Sequence, residues 1–353
     1  MIGLLFGSFG VTLLTVSIPM GAASDRIGRR MPLVLGMAAL AASTVLFAFG
    51  RSLPVLFAAR LVQGAADAIT WVVGFALVAD LFGPAERGRA TGIIMSGTSF
   101  SFMIGPSLGG WLYELGGARM PFIAVAVLAV IVGAAFLWLV EPHQHAGREL
   151  VPVAAVLRTP EIAACAAAVV AASATTSMFE PVLALHLGAM GVGPARIGLV
   201  FGTAAVVTTT LHPVIGRLAD RLGARRLTLA GLMLSAPGTI LLGQTWSYAS
   251  TIVLFVIAAA AIALVITPSL AYMGEATSAA GIGSFGVAYG LYNVAWGAGL
   301  LGGPAIGGFV YERLGFTALS LAWAPLPLGV SWLLVRLGRT GGMGVATSGY
   351  NVH

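Results

Sequence analysis

Gly21-Ala22-Ala23-Ser24-Asp25-Arg26-Ile27-Gly28-Arg29-Arg30 is a charged turn set between two long apolar runs. It returns as Gly216-Arg217-Leu218-Ala219-Asp220-Arg221-Leu222-Gly223-Ala224-Arg225. The offset of 195 residues pairs Gly21 with Gly216, Asp25 with Asp220, Arg26 with Arg221, Gly28 with Gly223 and Arg30 with Arg225. It also pairs Asp80 with Glu275. Further on, Gly105-Pro106-Ser107-Leu108-Gly109-Gly110 recurs as Gly303-Pro304-Ala305-Ile306-Gly307-Gly308 at an offset of 198, a slip of three residues. The chain is therefore built from two copies of one plan.

Composition fixes the setting of that plan. With 58% hydrophobic and 8% charged residues and a mean hydropathy of +0.98, the chain lies far outside the range of water-soluble domains. This is an integral membrane protein of the all-α class. The net charge of +6 does not imply nucleic acid, because the arginines sit in short turns between apolar runs and form no basic face. Cys165 is the only cysteine, which excludes an intramolecular disulfide and a cysteine metal cluster. A membrane-crossing helix needs about 20 apolar residues. Eleven stretches qualify, near residues 1–20, 32–50, 53–79, 91–113, 119–140, 161–187, 196–215, 227–245, 248–274, 284–311 and 316–336.

If the turn at Arg26 is cytoplasmic, that side holds thirteen arginines and the other side four: Arg51, Arg119, Arg196 and Arg313. This positive-inside bias places Met1 outside and His353 inside. Residues 1–140 form the first bundle, 141–160 a cytoplasmic linker, 161–340 the second bundle and 341–353 a cytoplasmic tail. His143 and His145 in the linker read as solvated loop residues; with no further cluster, no metal site is expected.

The turn at Gly21 resembles the loop signature of the major facilitator superfamily, Gly-x-x-x-Asp-Arg-x-Gly-Arg-Arg, which lies between its second and third membrane helices. The glycine run resembles the antiporter signature G-x8-G-x3-G-P-x2-G-G. Gly290, Gly299, Gly303, Pro304, Gly307 and Gly308 meet it in full, while Ser101 replaces one glycine in the first copy. The resemblance implies two pseudo-repeated six-helix bundles around a midplane cavity. Because the loop signature here follows the first span, the first helix of the twelve has no counterpart in this chain. The sequence leaves open whether further residues precede Met1. Arg60-Leu61-Val62-Gln63-Gly64 resembles the R-x-x-Q-G signature of proton-coupled exporters, which implies a role for Arg60 in coupling. Arg87-Gly88-Arg89-Ala90-Thr91-Gly92, Phe179-Glu180-Pro181 and Tyr289-Gly290-Leu291-Tyr292-Asn293-Val294-Ala295-Trp296 resemble the vesicular amine transporter branch and its bacterial drug-exporter relatives. That resemblance implies export of amphipathic cations against protons. The chain departs from the branch at Asn293, where an aspartate is expected, and at Ala263, where an acid precedes the proline of helix ten.

Ionisable groups inside a bilayer are costly and mark function by default. Asp67 lies near the middle of its span, about 10 Å along the helix from Arg60, too far for a simple ion pair. Glu180 lies in the span from 161. At a carboxylate in an apolar setting, proton release and cation binding compete, which is the physical basis of exchange. Glu180, Asp67, Arg60 and Asn293 are thus the expected proton or substrate site, with Trp71, Phe179, Tyr289, Tyr292 and Trp296 as candidate cavity wall. His186 is expected near an interface and His212 beside the cytoplasmic turn. The two turns are expected to gate the cytoplasmic side: Gly21, Asp25, Arg26, Gly28, Arg30 and Asp80 in one half, Gly216, Asp220, Arg221, Gly223 and Glu275 in the other. Gly105, Pro106, Gly109, Gly110, Gly303, Pro304, Gly307 and Gly308 are expected to pack helices closely.

The leading expectation is a secondary transporter in the cell membrane. It would export small amphipathic cations against protons, as a monomer in the lipid bilayer, with no cofactor beyond the proton gradient. Uptake of a neutral or anionic nutrient centred on Arg60, or a non-transporting receptor, are the alternatives. An enzyme is not expected, since no nucleophile, base and orienting partner can be assembled.

Overall fold

The computed structural model describes residues 2–141, 153–282 and 284–341. Most of the expected linker, with His143 and His145, and the tail beyond 341 lie outside the described residues. Among those described, every regular element is a helix, as a bilayer demands when backbone groups must be satisfied within the segment. The first half comprises α1 (Ile2–Ile27), α2 (Arg30–Phe49), α3 (Leu53–Leu81), α4 (Arg87–Gly116) and α5 (Met120–Leu139). The second comprises the single turn α6 (Val153–Leu157), then α7 (Pro160–Ala189), α8 (Pro194–Leu222), α9 (Ala224–Leu242), α10 (Tyr248–Ala279), α11 (Phe285–Trp323) and α12 (Pro325–Gly341). α11 is broken at Gly315 (φ 78°, ψ 177°), so its two pieces and α12 supply the last two of the eleven expected crossings.

Local sequence explains the element ends. Prolines stand in the first turn of α3, α5, α7 and α8, where the missing N–H is no loss. Ser247 and Ser250 form a reciprocal capping box at the start of α10. Gly28 (φ 83°) and Gly223 (φ 90°) occupy left-handed backbone in the two equivalent tight turns, a conformation only glycine adopts without strain. Among the described residues, seven segments are long and apolar enough to cross a membrane, with α11 and α12 counted together. α4 is not among them, because glycine and hydroxyl residues dilute its apolar character, yet its 30 residues reach about 45 Å.

The halves meet along two seams, α1 against α11 and α4 against α8. Within the second half α7 lies along α11 and also touches α10 and α12. The main core gathers residues of α3, α7, α10 and α11, among them Phe75, Cys165, Met273 and Leu291, and Val156 of α6 joins it. Large apolar side chains remain exposed along the helices, as with Val127, Ile131 and Trp138.

Candidate functional site

The two seams close at the arginine-rich end through one repeated device. At the end of α1 the buried Asp25 carboxylate reaches into the other half, accepting from the backbone N–H of Gly286 (3.0 Å) and Val287 (3.4 Å) and from Ser284 Oγ (2.5 Å). Those N–H groups belong to the first turn of α11, which has no helical acceptor for them and carries the positive end of the helix dipole. At the end of α8, Asp220 does the same for α4, accepting from Gly88 N (2.7 Å) and Arg89 N (2.8 Å). Each half therefore caps a helix of the other. Glycine makes the approach possible: a Cβ on Gly21 would lie 2.0 Å from the Gly286 carbonyl oxygen, and one on Gly216 would lie 2.2 Å from that of Gly88.

The charged partners behind the two caps differ. Arg29 joins Asp25 (2.7 Å) to Asp80 (2.8 Å) and also donates to Ser24 Oγ (2.6 Å), all at a buried position. The expected arginines of this turn sit elsewhere: Arg26 is exposed and Arg30 donates to the Leu137 carbonyl of α5. The repeat partner of Arg29 is Ala224, so comparing the two copies hides the arginine that matters. In the second half Glu275 lies near the Ala224 backbone N–H and within electrostatic reach of Arg87. Arg221 is exposed. Arg87, from the first half, donates to the carbonyls of Ala79 (2.8 Å) and Phe82 (3.0 Å) and to Ser278 Oγ of α10 (3.1 Å), with its guanidinium over the Phe285 ring (4.9 Å). Its place beside Asp80 in sequence is a weak signal for this cross-half role.

The glycine runs separate sharply. In the second half α7 fills the run: a Cβ on Gly303 would meet the Ala174 carbonyl oxygen at 2.4 Å, and one on Gly307 would meet Met178 Cγ at 2.1 Å. Gly308 has nothing within 4 Å, and Pro304 is half-buried. In the first half Gly105, Gly109 and Gly110 have nothing within 4 Å, and the Pro106 side chain lies outside the described ones. A cavity of about 380 Å³ opens on the same half, lined by α2, α3, α4 and α5 through residues that include Leu33, Trp71, Phe75, Ile94 and Phe136.

Deeper in the bundle the expected site residues divide. Asp67 lies beside Trp71, which stacks on Phe75 (5.3 Å); Phe75 stacks on Tyr289 (5.9 Å), and Tyr289 lies 6.5 Å from Tyr292. This aromatic ladder joins α3 to α11. Phe75 was not foreseen, although it stands one helical turn after Trp71. The tyrosine hydroxyls are engaged, Tyr289 donating to the Leu270 carbonyl (2.9 Å) and Tyr292 paired with Ser269 Oγ (3.1 Å). Arg60 is held apart, donating to Gln63 Oε1 (2.9 Å) with its guanidinium over Phe47 (5.0 Å). Asn293 is buried in the α1–α11 seam and donates to Ser17 Oγ (2.9 Å). Glu180 is exposed on α7, nine residues or about 14 Å from the helix end, while its neighbour Phe179 is buried edge-on against Phe316 (6.1 Å). Trp296 is half-buried. His186 stacks on Phe316 (4.4 Å). His212 lies ten residues inside α8, not at the turn, and bonds Thr267 Oγ1 of α10 (2.6 Å).

Comparison with known proteins agrees with this architecture. A sequence model of the Major Facilitator Superfamily matches residues 1–163 and again 163–345. The chain is 28% identical to the vesicular acetylcholine transporter of Drosophila melanogaster over 90% of its own length and 57% of that protein's. It is 30% identical to a probable vesicular acetylcholine transporter-B of Danio rerio (91% and 66% covered), and 28% identical to the synaptic vesicular amine transporter of Bos taurus (89% and 62%). It thus spans 57–66% of the length of these relatives. The crystal structure of the human organic anion transporter MFSD10 (TETRAN) shares the fold, with a TM-score of 0.75 at 22% identity over 94% of this chain and 83% of that one. With both halves matched in turn, the chain belongs to the major facilitator superfamily, a family of membrane transporters.

Proposed function

We propose that the protein is a secondary transporter that exports small amphipathic cations in exchange for protons by alternating access. The observation that carries this reading is the repeated cross-half closure, in which Asp25 caps α11 and Asp220 caps α4. These bonds join the halves at one end only, so parting them opens the central space to that side. The arginine bias makes it the cytoplasmic side. The conformation described is the one closed to the cytoplasm.

Glu180 and Asp67 are the proposed exchange groups. α7 packs against α10, α11 and α12 and leaves Glu180 exposed; in this reading that carboxylate faces the central cavity. A carboxylate there faces a watery cavity more cheaply than lipid. Asp67, with Trp71 beside it, offers a negative charge next to an aromatic face, the pairing that attracts an organic cation. The relatives named as acetylcholine and amine transporters support a cationic substrate. Asn293 in this reading seals the seam and does not touch substrate. The proton gradient supplies the energy, and the protein works as a monomer in the cell membrane.

The test is proton flux in vesicles carrying the protein, with tetraphenylphosphonium as the lipophilic cation. Wild type should move protons when the cation is added, and Glu180→Gln should not, while remaining folded. A Glu180→Gln variant that still moves protons on cation addition refutes the exchange role of this group.

A further inference from the structure

We propose that Ser96 of α4 and the Thr209 carbonyl of α8, freed by Pro213, form a hydrogen-bonded latch across the α4–α8 seam, one that holds the cytoplasmic side closed and must part whenever it opens. The inference rests on the alternating-access reading. It starts from a missing donor. Pro213 has no N–H, so the carbonyl of Thr209, four residues earlier in α8, loses its helical partner. Inside a bilayer no water replaces it. The donor comes from the other half: Ser96 Oγ bonds the Thr209 carbonyl oxygen at 2.6 Å.

Other hydroxyls of α4 behave differently. Thr91, Thr98 and Ser101 each bond a carbonyl of their own helix, those of Arg87, Ile94 and Gly97, at 2.9–3.1 Å. That inward bond is the ordinary choice of a helical serine or threonine, and Ser96 has it available at Gly92. Its turn outward answers the vacant acceptor made by Pro213.

The surroundings fix the register. The His212 carbonyl backs onto Gly92, where a Cβ would come within 2.5 Å of it, so α4 and α8 touch backbone to backbone one turn before Ser96. His212 Nδ1 is bonded to Thr267 Oγ1 (2.6 Å), which ties the same turn of α8 to α10 inside the second half. That turn therefore moves with its own half, and the Ser96 bond is the part that breaks. Ser96 stands eight residues after Gly88, about 12 Å deeper than the Asp220 cap. The latch thus extends the seal well into the membrane. In the α1–α11 seam Pro19 falls one residue from Pro213 under the 195-residue offset, but the bond there runs from Asn293 to the Ser17 side chain. Among the described residues, only the α4–α8 seam has a side-chain bond to a proline-freed carbonyl.

The latch is tested without transport. In a Cys165→Ala background, spin labels at Ile27→Cys and Leu222→Cys, both exposed at the cytoplasmic end, report the separation of the halves in lipid nanodiscs. Ser96→Ala should lower the closed-to-open ratio about threefold to tenfold, the worth of one hydrogen bond. Ser96→Thr, which keeps the hydroxyl, should retain the wild-type distribution. Pro213→Ala gives the Thr209 carbonyl a donor of its own, so it should also favour opening, and adding Ser96→Ala should then change little further. An unchanged distribution in Ser96→Ala, or effects of the two variants that simply add, overturns the latch. Asp25→Asn serves as reference: if it opens the cytoplasmic side while Ser96→Ala does not, the latch falls and alternating access stands. If neither variant moves the labels, both fall.

Discussion

Replacing Asp25 by asparagine tests the closure where its energetics are clearest. The carboxylate has two kinds of partner. Arg29, at 2.7 Å, belongs to the same half and stays with it whether the cytoplasmic side is open or closed. Gly286 N, Val287 N and Ser284 Oγ belong to the other half and are lost on opening. Only this second set biases the equilibrium. Hydrogen bonds to a charged acceptor are worth about 1.5–3 kcal/mol against about 1 kcal/mol for neutral ones. Losing the charge at the two shorter bonds therefore costs about 1 kcal/mol each, and weakening the interaction with the α11 dipole adds up to about 1 kcal/mol. The closed-to-open ratio should fall by about 2–3 kcal/mol, roughly 30-fold to 150-fold. Label distances across the cytoplasmic end measure the ratio directly, and a binding isotherm for a lipophilic cation with the vesicle transport rate completes the assay. We expect a shift toward open, a slower transport cycle and little change in intrinsic binding. Lost binding at an unchanged cycling rate, with the distance distribution intact, would refute the reasoning.

Three further outcomes are expected. Arg29→Ala removes the cation shared by Asp25 and Asp80, two buried or nearly buried carboxylates; it should destabilise the protein by about 3–5 kcal/mol, read as a lowered thermal unfolding midpoint in nanodiscs, with Arg29→Lys recovering part of it. Gly303→Ala must displace the α7 backbone near Ala174 and should cost about 1–3 kcal/mol; an unfolding midpoint equal to that of wild type would contradict the packing described. Asn293→Ala should shift the seam toward open while leaving the affinity for a lipophilic cation unchanged, and a large loss of affinity by equilibrium binding would return Asn293 to the substrate site.

Much of the fold is legible in the sequence because it rests on features that act locally. Apolar runs of bilayer length, glycines in left-handed turns and an arginine bias each declare themselves within a few residues, and the 195-residue repeat links them. The site is less legible because it depends on which residue reaches across a seam. Asp25 and Asp220 stand out because both copies keep them, yet their acceptor role, capping the other half's helix, is a property of the assembled pair. Arg29 stands out less than Arg26 and Arg30, because the second copy has Ala224 at its position. Repetition marks what the halves share, and Arg29 is what they do not. Asn293 was placed by its neighbourhood in a resembling stretch, while its bond to Ser17 lies 276 residues away in sequence and leaves no local sign. Ser96 carried no signal of its own. Its meaning appears only when Pro213, on another helix, is seen to vacate the carbonyl it bonds.

The repeated glycine run is filled in one copy only, and the segment that would repeat α7 under the 195-residue offset falls before Met1. In the second half Gly299, Gly303 and Gly307 let α7 lie so close that Ser173 Oγ, the Ala174 carbonyl and Met178 fill the places of their missing side chains. The same run in the first half, Gly105 and Gly109, looks onto open space, and the surrounding face of α4 presents Phe102, Trp111 and Leu115 outward. Burying an apolar face gains little hydrophobic free energy inside a bilayer, because lipid tails are as apolar as the side chains. What a membrane helix must satisfy is its polar groups. α4 does so at the cytoplasmic end, where Asp220 takes its first-turn N–H groups, and deeper in, where Ser96 finds the Thr209 carbonyl. Both bonds are made to the other half. The first half is thus anchored at α4 more firmly to its partner than to its own bundle, which suits a helix whose task is to hold a seam that opens and closes.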